Sequence, residues 1–572
     1  MGRGWTLFVL GWALVLGGGF LAHVIQTADG VRVEDVRFAG ADGTPMSGLL
    51  YIPPTATPET PAPGVLAVHG YINSRETQDG FSIEFARRGY VVLAIDQTGH
   101  GYSGGGMGAN GYGGPDGLRY LRSLAMVDPD QIGLEGHSMG GWAVLAAAMA
   151  QPSAYRAMVL EGSATGVRLP PAGVLASAPG TPQFPKNLAV VYSRWDEFAP
   201  LMWEVPRAAD VGRSAKLIAL FGAAGPVVPG RVYGSMAAGD ARALYTPATT
   251  HPGDHLSTEA IGDAVDWFAR TLKGGTPRPA DDQIWMWKEI GTLIAFVGVV
   301  ILMLGAFDLY LGLPTFAALA GAPEPARERR GAGWWAMLAA TALVPVVSFY
   351  PFMLLGMVAA GPSRAFPQPI TNQLMVWALL NAAVTVLASV LLKGPKPRFN
   401  LRWGGAAGIA LLTVATGYLA LLVADFAFKV DFRFWVVALK LLSPRQFGWF
   451  LVYLVPFTAY FVVALGSLHA NLAVRGDSPA RQYATGLAAL AGGFALFVLA
   501  QYAPLLLTGR LPIPAEALNA IISIPFLPLM AIVALVAVFT WRRTNSYLPG
   551  AFVCGLFVTW YIVAGTAAQV AG

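Results

Sequence analysis

Gly136-His137-Ser138-Met139-Gly140 is the stretch of this 572-residue chain whose residue types and spacing most directly permit chemistry. A serine flanked at this spacing by glycines can occupy a turn too tight for larger neighbours. Its hydroxyl is then lifted clear, and the following amides point where negative charge is favoured. The chemistry is nucleophilic attack on a carbonyl carbon. A hydroxyl is a poor nucleophile at neutral pH, so such a serine needs a base, and the base needs an orienting acid. An apolar strand pattern at 132–135, a helical pattern after the serine and the additional Gly141 give the motif its context.

The elements that must position Ser138 lie in a segment, 29–282, where short apolar runs alternate with helical patterns. That order predicts a mostly parallel sheet covered on both faces by helices. Residues 31–38 and 47–52 flank Ala41-Asp42-Gly43-Thr44-Pro45 and read as an antiparallel hairpin. Buried-type strands follow at 64–68, 90–95, 132–135, 157–160, 188–192 and 241–245, with helices at 78–88, 114–124, 140–150 and 257–272. The expectation is an eight-stranded sheet with an antiparallel start.

With these residues in place, the segment 32–272 resembles an α/β-hydrolase domain, close to the dienelactone-hydrolase-like and serine-peptidase-like branches. It covers a little under half of the chain. His69-Gly70-Tyr71 follows the third strand, and Asp96-Gln97-Thr98-Gly99-His100-Gly101-Tyr102-Ser103 resembles the family's loop after the fourth. The resemblance implies that the backbone N–H groups of Tyr71 and Met139 form an oxyanion hole, each worth on the order of 3 kcal/mol to a tetrahedral intermediate. It also implies the chain order Ser, acid, His. The acid then falls in Ser193-Arg194-Trp195-Asp196-Glu197, where Asp196 is preferred to Glu197. Two histidines compete for the base in His251-Pro252-Gly253-Asp254-His255. The last helix reads as capped by Ser257, ahead of Ile261, Val265 and Phe268. His251 stands far enough before that cap to swing over the sheet edge, so it is preferred, with His255 as the alternative. His69, His100 and His137 read as structural hydrogen-bonding groups.

Composition places this segment in a larger frame. Over the whole chain 55% of residues are hydrophobic and only 12% charged, which excludes a wholly soluble protein. Residues 29–282 hold 19 Lys+Arg and 25 Asp+Glu, whereas the rest holds 19 and 8. The high pI therefore reports the basic loops of a membrane part, and no nucleic-acid partner is implied. The expected organisation is an N-terminal transmembrane anchor at 1–28, an extracytoplasmic domain at 29–282 and a membrane domain of eight helices at 283–572. Its spans read as 285–312, 333–360, 372–392, 404–424, 448–470, 482–507, 517–540 and 549–570.

With the N-terminus cytoplasmic, the inner loops carry twelve basic residues. These are Arg3, Arg327, Arg329, Arg330, Lys393, Lys396, Arg398, Arg402, Arg475, Arg481, Arg542 and Arg543, against seven on the other side. The alternation suits a bacterial plasma membrane with the sheet segment outside. Residues 425–450, which mix Phe432, Phe434 and Trp435 with Arg433, Lys440 and Arg445, read as an interfacial helix. Lys288, Glu289, Asp308 and His469 read as interfacial or helix-paired groups.

No cofactor is implied. Cys554 is the single cysteine, so there is neither an intrachain disulfide nor a thiolate zinc site, and the histidines of 251–255 lack further metal ligands at suitable spacing. The glycine-rich stretch 104–114 has no Lys-Ser/Thr ending and is not a phosphate loop. The expected activity is that of a serine hydrolase taking a small or lipid-like acyl substrate, with membrane lipids as neighbours and assembly into homo-oligomers through the membrane helices. Acyl transfer, peptidase and thioesterase chemistry would use the same residues. A transport or channel module with a hydrolase-like sensing domain is the rival, and its mark would be carboxylates buried mid-span, which the sequence lacks.

Overall fold

A computed structural model describes residues 2–169, 174–392, 397–565 and 568–570. The chain forms two compact units. One contains Leu21–Ile290, Tyr502–Ala517 and the described residues 568–570, and the other contains the N-terminal stretch to Phe20, Gly291–Gln501 and the described residues 518–565. Helix α1 (Arg3–Gln26) runs from the second unit into the first.

The first unit is built on a nine-stranded sheet. Its members are β1 (Arg32–Ala39), β2 (Pro45–Ile52), β3 (Ala62–Val68), β4 (Val91–Ile95), β5 (Val127–His137), β6 (Ala157–Glu161), β9 (Leu188–Val191), β10 (Val232–Tyr233) and β11 (Arg242–Tyr245). A separate small hairpin pairs β7 (Arg168–Leu169) with β8 (Val174–Leu175). The spatial order is β1-β2-β4-β3-β5-β6-β9-β11-β10. The six strands from β4 to β11 are mutually parallel, while β1, β2 and β10 pair antiparallel. The strand beyond the expected eight is β10, whose two residues are too few to show an alternation of their own.

Both faces of the central strands are buried, so these strands read as continuous apolar runs. Because successive side chains alternate faces, Val65 and Ala67 join one core and Leu66 and Val68 the other. The first core takes Phe81 and Phe85 of α2 (Asp79–Arg87) and Ile261, Val265 and Phe268 of α7 (Thr258–Thr271). The second takes Leu118 and Leu121 of α3 (Gly114–Ser123) and the apolar face of α4 (Met139–Ala150). Ser257 caps α7, its hydroxyl accepting from the Ala260 N–H at 3.1 Å, which is the start expected from its position. Two short helices, α5 (Ala199–Met202) and α6 (Ala215–Phe221), follow β9.

This unit continues past residue 282 into the first turns of α8 (Trp285–Leu311). The Glu84 carboxylate accepts from the Ile284 and Trp285 amides at 2.7 and 3.2 Å, and Trp285 is buried in the first core. Lys288 is paired with Asp79, which also accepts from Tyr51 at 2.7 Å, so this buried ammonium has its counter-charge.

The second unit is helical. Besides most of α8 it contains α9 (Ala332–Val347), α10 (Phe349–Ala359), α11 (Pro369–Leu392), α12 (Trp403–Phe428), α13 (Pro444–Leu472), α14 (Pro479–Leu490) and most of α15 (Gly492–Thr508). The chain closes with α16 (Ala517–Ser523), α17 (Phe526–Thr544) and α18 (Leu548–Gly565). Among the described residues, seven helices are long and apolar enough to cross a membrane, or nine if each bent pair counts as one span. The α9/α10 pair bends by 47° just after Pro345, and the α14/α15 pair by 46° at Gly492-Gly493. Proline removes a helical hydrogen bond and glycine weakens the ladder, which accounts for both breaks.

The segment expected as an interfacial helix at 425–450 is instead a β-hairpin of β12 (Phe432–Phe434) and β13 (Val437–Leu439) between α12 and α13. The apolar residues Phe432 and Phe434 alternate with Arg433, a period of two that no helix uses. Trp435, at φ 54°, opens the two-residue turn, and the buried Arg433 is held by Asp431 at 2.8 Å. Asp308 is paired with Arg543 at 3.2 Å, and His469 stacks on Trp541 with ring centres 4.8 Å apart. Lys393 and Lys396 lie outside the described residues.

Candidate active site

Strand β5 delivers Ser138 at its carboxyl end, directly before the first turn of α4, where Ser138 takes φ 55° and ψ −120°. A non-glycine residue in this region stores on the order of 1–3 kcal/mol of strain and persists only where its surroundings enforce it. Here they do. The Ser138 N–H donates to the Glu161 carbonyl at 2.8 Å, and its own carbonyl accepts from Gly141 at 3.0 Å and from the Ser163 hydroxyl at 2.7 Å. A Cβ on Gly140 would collide with the Val68 carbonyl, and one on Gly136 with the Gly140 carbonyl, so both glycines are required by close backbone approach.

Gly70, after β3, runs beside the serine: a Cβ placed there would lie 3.1 Å from Ser138 Cβ. The next amide is that of Tyr71, and Met139 is the first residue of α4, whose leading N–H groups have no intrahelical acceptor. Among the described residues neither the Tyr71 nor the Met139 N–H donates to another group of the chain. The His69 loop is held to its neighbour, with the Gln97 N–H donating to His69 Nε2 at 3.2 Å. Asp96 accepts from the Arg75 and Tyr102 amides at 3.0 and 3.1 Å. His100 is buried and its pKa falls to about 3, chiefly through desolvation. These groups organise loops.

Asp196 and His251 meet directly. Beyond β9 the Asp196 carboxylate is fully buried, and its Oδ2 lies 2.7 Å from His251 Nδ1. Its Oδ1 accepts from the Phe198 N–H at 2.7 Å and the Tyr192 hydroxyl at 3.1 Å. His251 opens a short 3-10 turn, Pro252–Leu256, and the Phe198 ring stands edge-on to it at 4.7 Å. The His251 carbonyl accepts from His137 Nε2 at 3.0 Å. Gly162, at φ 51°, leaves room for the imidazole, since a Cβ there would sit 2.8 Å from Nδ1. Ser138 and His251 thus both lie against the Glu161-Gly162 pair. Among the described residues no hydrogen bond joins Ser138 Oγ to the imidazole. Such bonds are commonly long before substrate arrives.

The other candidate base, His255, has its ring 4.2 Å from that of His137 and 6.2 Å from Phe81. Burial opposes a charged His251, but Asp196, and behind it Glu197 and Asp254, outweigh burial and hold its pKa above the usual value. A neutral Nδ1–H donor to Asp196 leaves Nε2 as the proton acceptor.

Three supporting residues were not legible as such. Asp254 is fully buried, accepts from the Ser193 hydroxyl and lies 3.5 Å from His137 Nε2. Glu197, read only as an alternative acid, accepts from the His251 backbone N–H at 2.8 Å. Tyr502 donates its hydroxyl to Glu197 at 2.9 Å, across 305 residues, a pairing for which no local pattern exists. Among the described residues no group of three His, Cys, Asp or Glu side chains is placed to hold a metal ion.

Residues 59–195 match the family described as Serine aminopeptidase, S33. No curated protein sequence matches the chain. Among solved structures it is similar to DcsB in complex with its substrate analogue, at 20% identity over 24% of this chain and 48% of that one, with a TM-score of 0.21. It is also similar to a hypothetical protein from Pseudomonas aeruginosa, at 14% identity over 43% and 95% of the two chains (TM-score 0.32). A third is a highly thermostable carboxyl esterase from Bacillus coagulans in complex with glycerol, at 21% identity over 24% and 46% (TM-score 0.20). The chain spans less than half the length of the first and third of these. The N-terminal half carries an α/β-hydrolase domain. The C-terminal half is built of long apolar helices.

Proposed function

We propose that the protein is a membrane-embedded serine hydrolase that cleaves a carboxylic ester through an acyl-enzyme. In this reading Ser138 Oγ attacks the carbonyl carbon while His251 Nε2 takes its proton, and Asp196 holds the imidazole in the tautomer that leaves Nε2 free to accept. The carbonyl oxygen becomes an oxyanion, received by the Tyr71 and Met139 N–H groups. When the intermediate collapses, the carbon–oxygen bond to the leaving alcohol breaks and His251 returns the proton to that alcohol. Water, deprotonated by the same imidazole, then releases the acid and restores Ser138.

The observation that carries this reading is the buried Asp196–His251 bond at 2.7 Å. It joins the acid and base that the Ser, acid, His order selects. The substrate class in this reading is a small or lipid-like acyl compound, and the positive-inside bias of the sequence supports an extracytoplasmic domain. The family description of the matched segment favours a second reading, peptide hydrolysis by the same three residues. The test is a panel of p-nitrophenyl esters, thioesters and aminoacyl anilides offered to the full-length protein in lipid nanodiscs, with Ser138→Ala as control. Ester turnover that vanishes in the variant is expected. Turnover by the variant equal to wild type contradicts the assignment.

A further inference from the structure

We propose that Glu197 is a positioning residue for the His251 base, and that the Tyr502 hydroxyl near the end of α15 holds Glu197 in place. This rests on the serine-hydrolase reading above. Glu197 is only 3% exposed and directly follows Asp196, so two buried carboxylates are neighbours in the chain. Burying a carboxylate is costly unless its oxygens find donors, and a second negative charge alongside raises the cost. Each oxygen of Glu197 has one: Oε2 accepts from the His251 backbone N–H at 2.8 Å and Oε1 from the Tyr502 hydroxyl at 2.9 Å. One side chain therefore connects the backbone of the base to a tyrosine from the far end of the sequence. Tyr502 belongs to the same compact unit as the sheet, as does the stretch that follows it. Gly509 of that stretch lies against Arg207, where a Cβ would be 3.3 Å from the side chain, and Arg207 is itself paired with Asp210 at 2.8 Å.

The bridge acts on the base in two ways. It fixes the backbone at His251, the residue whose ring must reach Ser138, since the amide it holds belongs to the first residue of the loop. It also places a carboxylate near the imidazole. The titratable groups around this pair are Asp196 and Tyr192 beside β9, Asp254 in the 251–256 loop, His137 at the end of β5 and Tyr502 on α15. Burial, and then the Asp196 charge, push the Glu197 pKa up to about 7, with His251 pulling the other way.

Glu197→Gln removes the charge, so less opposes the desolvation of an imidazolium and the His251 pKa falls. The acidic limb of kcat/KM should then move to lower pH by roughly one pH unit. Gln keeps an oxygen that accepts from the His251 N–H, but the bond loses its charge assistance, which should lower kcat severalfold with KM unchanged. Tyr502→Phe takes a donor from the carboxylate, raises the Glu197 pKa and leaves less negative charge in the range of the limb. Its limb should shift in the same direction by a smaller amount. If the two residues act through one bridge, the double variant should be no worse than Glu197→Gln alone.

The experiment is hydrolysis of a short p-nitrophenyl ester between pH 5 and 9 by the full-length wild type and the three variants in nanodiscs, with fluorophosphonate labelling and thermal unfolding of each. A shifted limb, lowered kcat and a non-additive double variant, all in protein that still takes the label, are the expected result. Coincident pH profiles or strictly additive losses overturn the proposal. Should Glu197→Gln fail to fold, Tyr502→Phe, which leaves every carboxylate in place, decides alone: an unshifted limb overturns the proposal. A wild type that neither takes the label nor turns over ester overturns the hydrolase reading itself, which distinguishes the two failures.

Discussion

Asp196→Asn is the perturbation whose effect can be worked furthest from the geometry. The Asp196 carboxylate is fully buried and lies 2.7 Å from His251 Nδ1. In the proposed mechanism Ser138 gives up its proton to the imidazole, which becomes a cation facing this anion. With charge centres about 4 Å apart and an effective dielectric constant of about 20, the attraction is about 4 kcal/mol, on the order of a thousandfold in rate. An amide retains the shape but supplies no charge, and it can turn its NH₂ toward Nδ1 and so favour the wrong tautomer. The variant should therefore lose about a thousandfold in kcat/KM for a short p-nitrophenyl ester. The pH profile should change as well. Burial lowers the His251 pKa while Asp196 is the strongest group raising it, so without that charge the acidic limb moves to lower pH. The assay is steady-state hydrolysis between pH 5 and 9, with active protein counted by fluorophosphonate titration. Activity within tenfold of wild type and an unmoved limb would mean that the 2.7 Å bond is structural only and that Asp196 is not the orienting acid.

Further outcomes follow from other parts of the structure. His251→Ala should cost at least about a thousandfold in turnover and His255→Ala less than about tenfold, and the reverse ranking would transfer the base to His255. Glu135 and Glu161 are buried together on adjacent strands, and desolvation raises the pKa of Glu135 from 4.5 to about 8 and that of Glu161 as well. An acid raised in the folded state binds protons that the unfolded chain has released, so stability is lost as pH rises from about 4.5 toward 8. Melting curves of wild type should show that decline, and Glu135→Gln should flatten it; parallel slopes would contradict the shared burial. A protease added to spheroplasts should cut within 30–280, and full protection there would place the domain in the cytoplasm.

The sequence was most legible where physical constraints are local. The glycines around Ser138 foretold a backbone that only small neighbours permit, and the structure has Ser138 at φ 55° with no room for a Cβ at Gly136 or Gly140. Continuous apolar runs such as 64–68 and 188–192 marked central strands, because both faces of those strands are covered. Short or irregular pieces were harder. Strand β10 has two residues and draws its stability from pairing with β11, a partner that periodicity cannot reveal. The hairpin Phe432–Leu439 was masked by aromatic residues that suit an interfacial helix equally well, and only its period of two and the turn at Trp435 distinguish it. Asp254 and Glu197 lay inside motifs already singled out, yet their partners, Ser193, His137 and the His251 amide, are set by how loops fold back over the sheet. Tyr502 shows the limit of local reading, since nothing near residue 502 points to a carboxylate in the loop after β9.

The proposed mechanism requires the hydroxyl of Ser138 to be an activated nucleophile. Reaction of the full-length protein with a fluorophosphonate, followed by peptide mapping, tests it most directly. One modified residue is expected, Ser138, with modification lost in Ser138→Ala and greatly slowed in His251→Ala. A different modified residue, or a reaction rate that both substitutions leave intact, would contradict it.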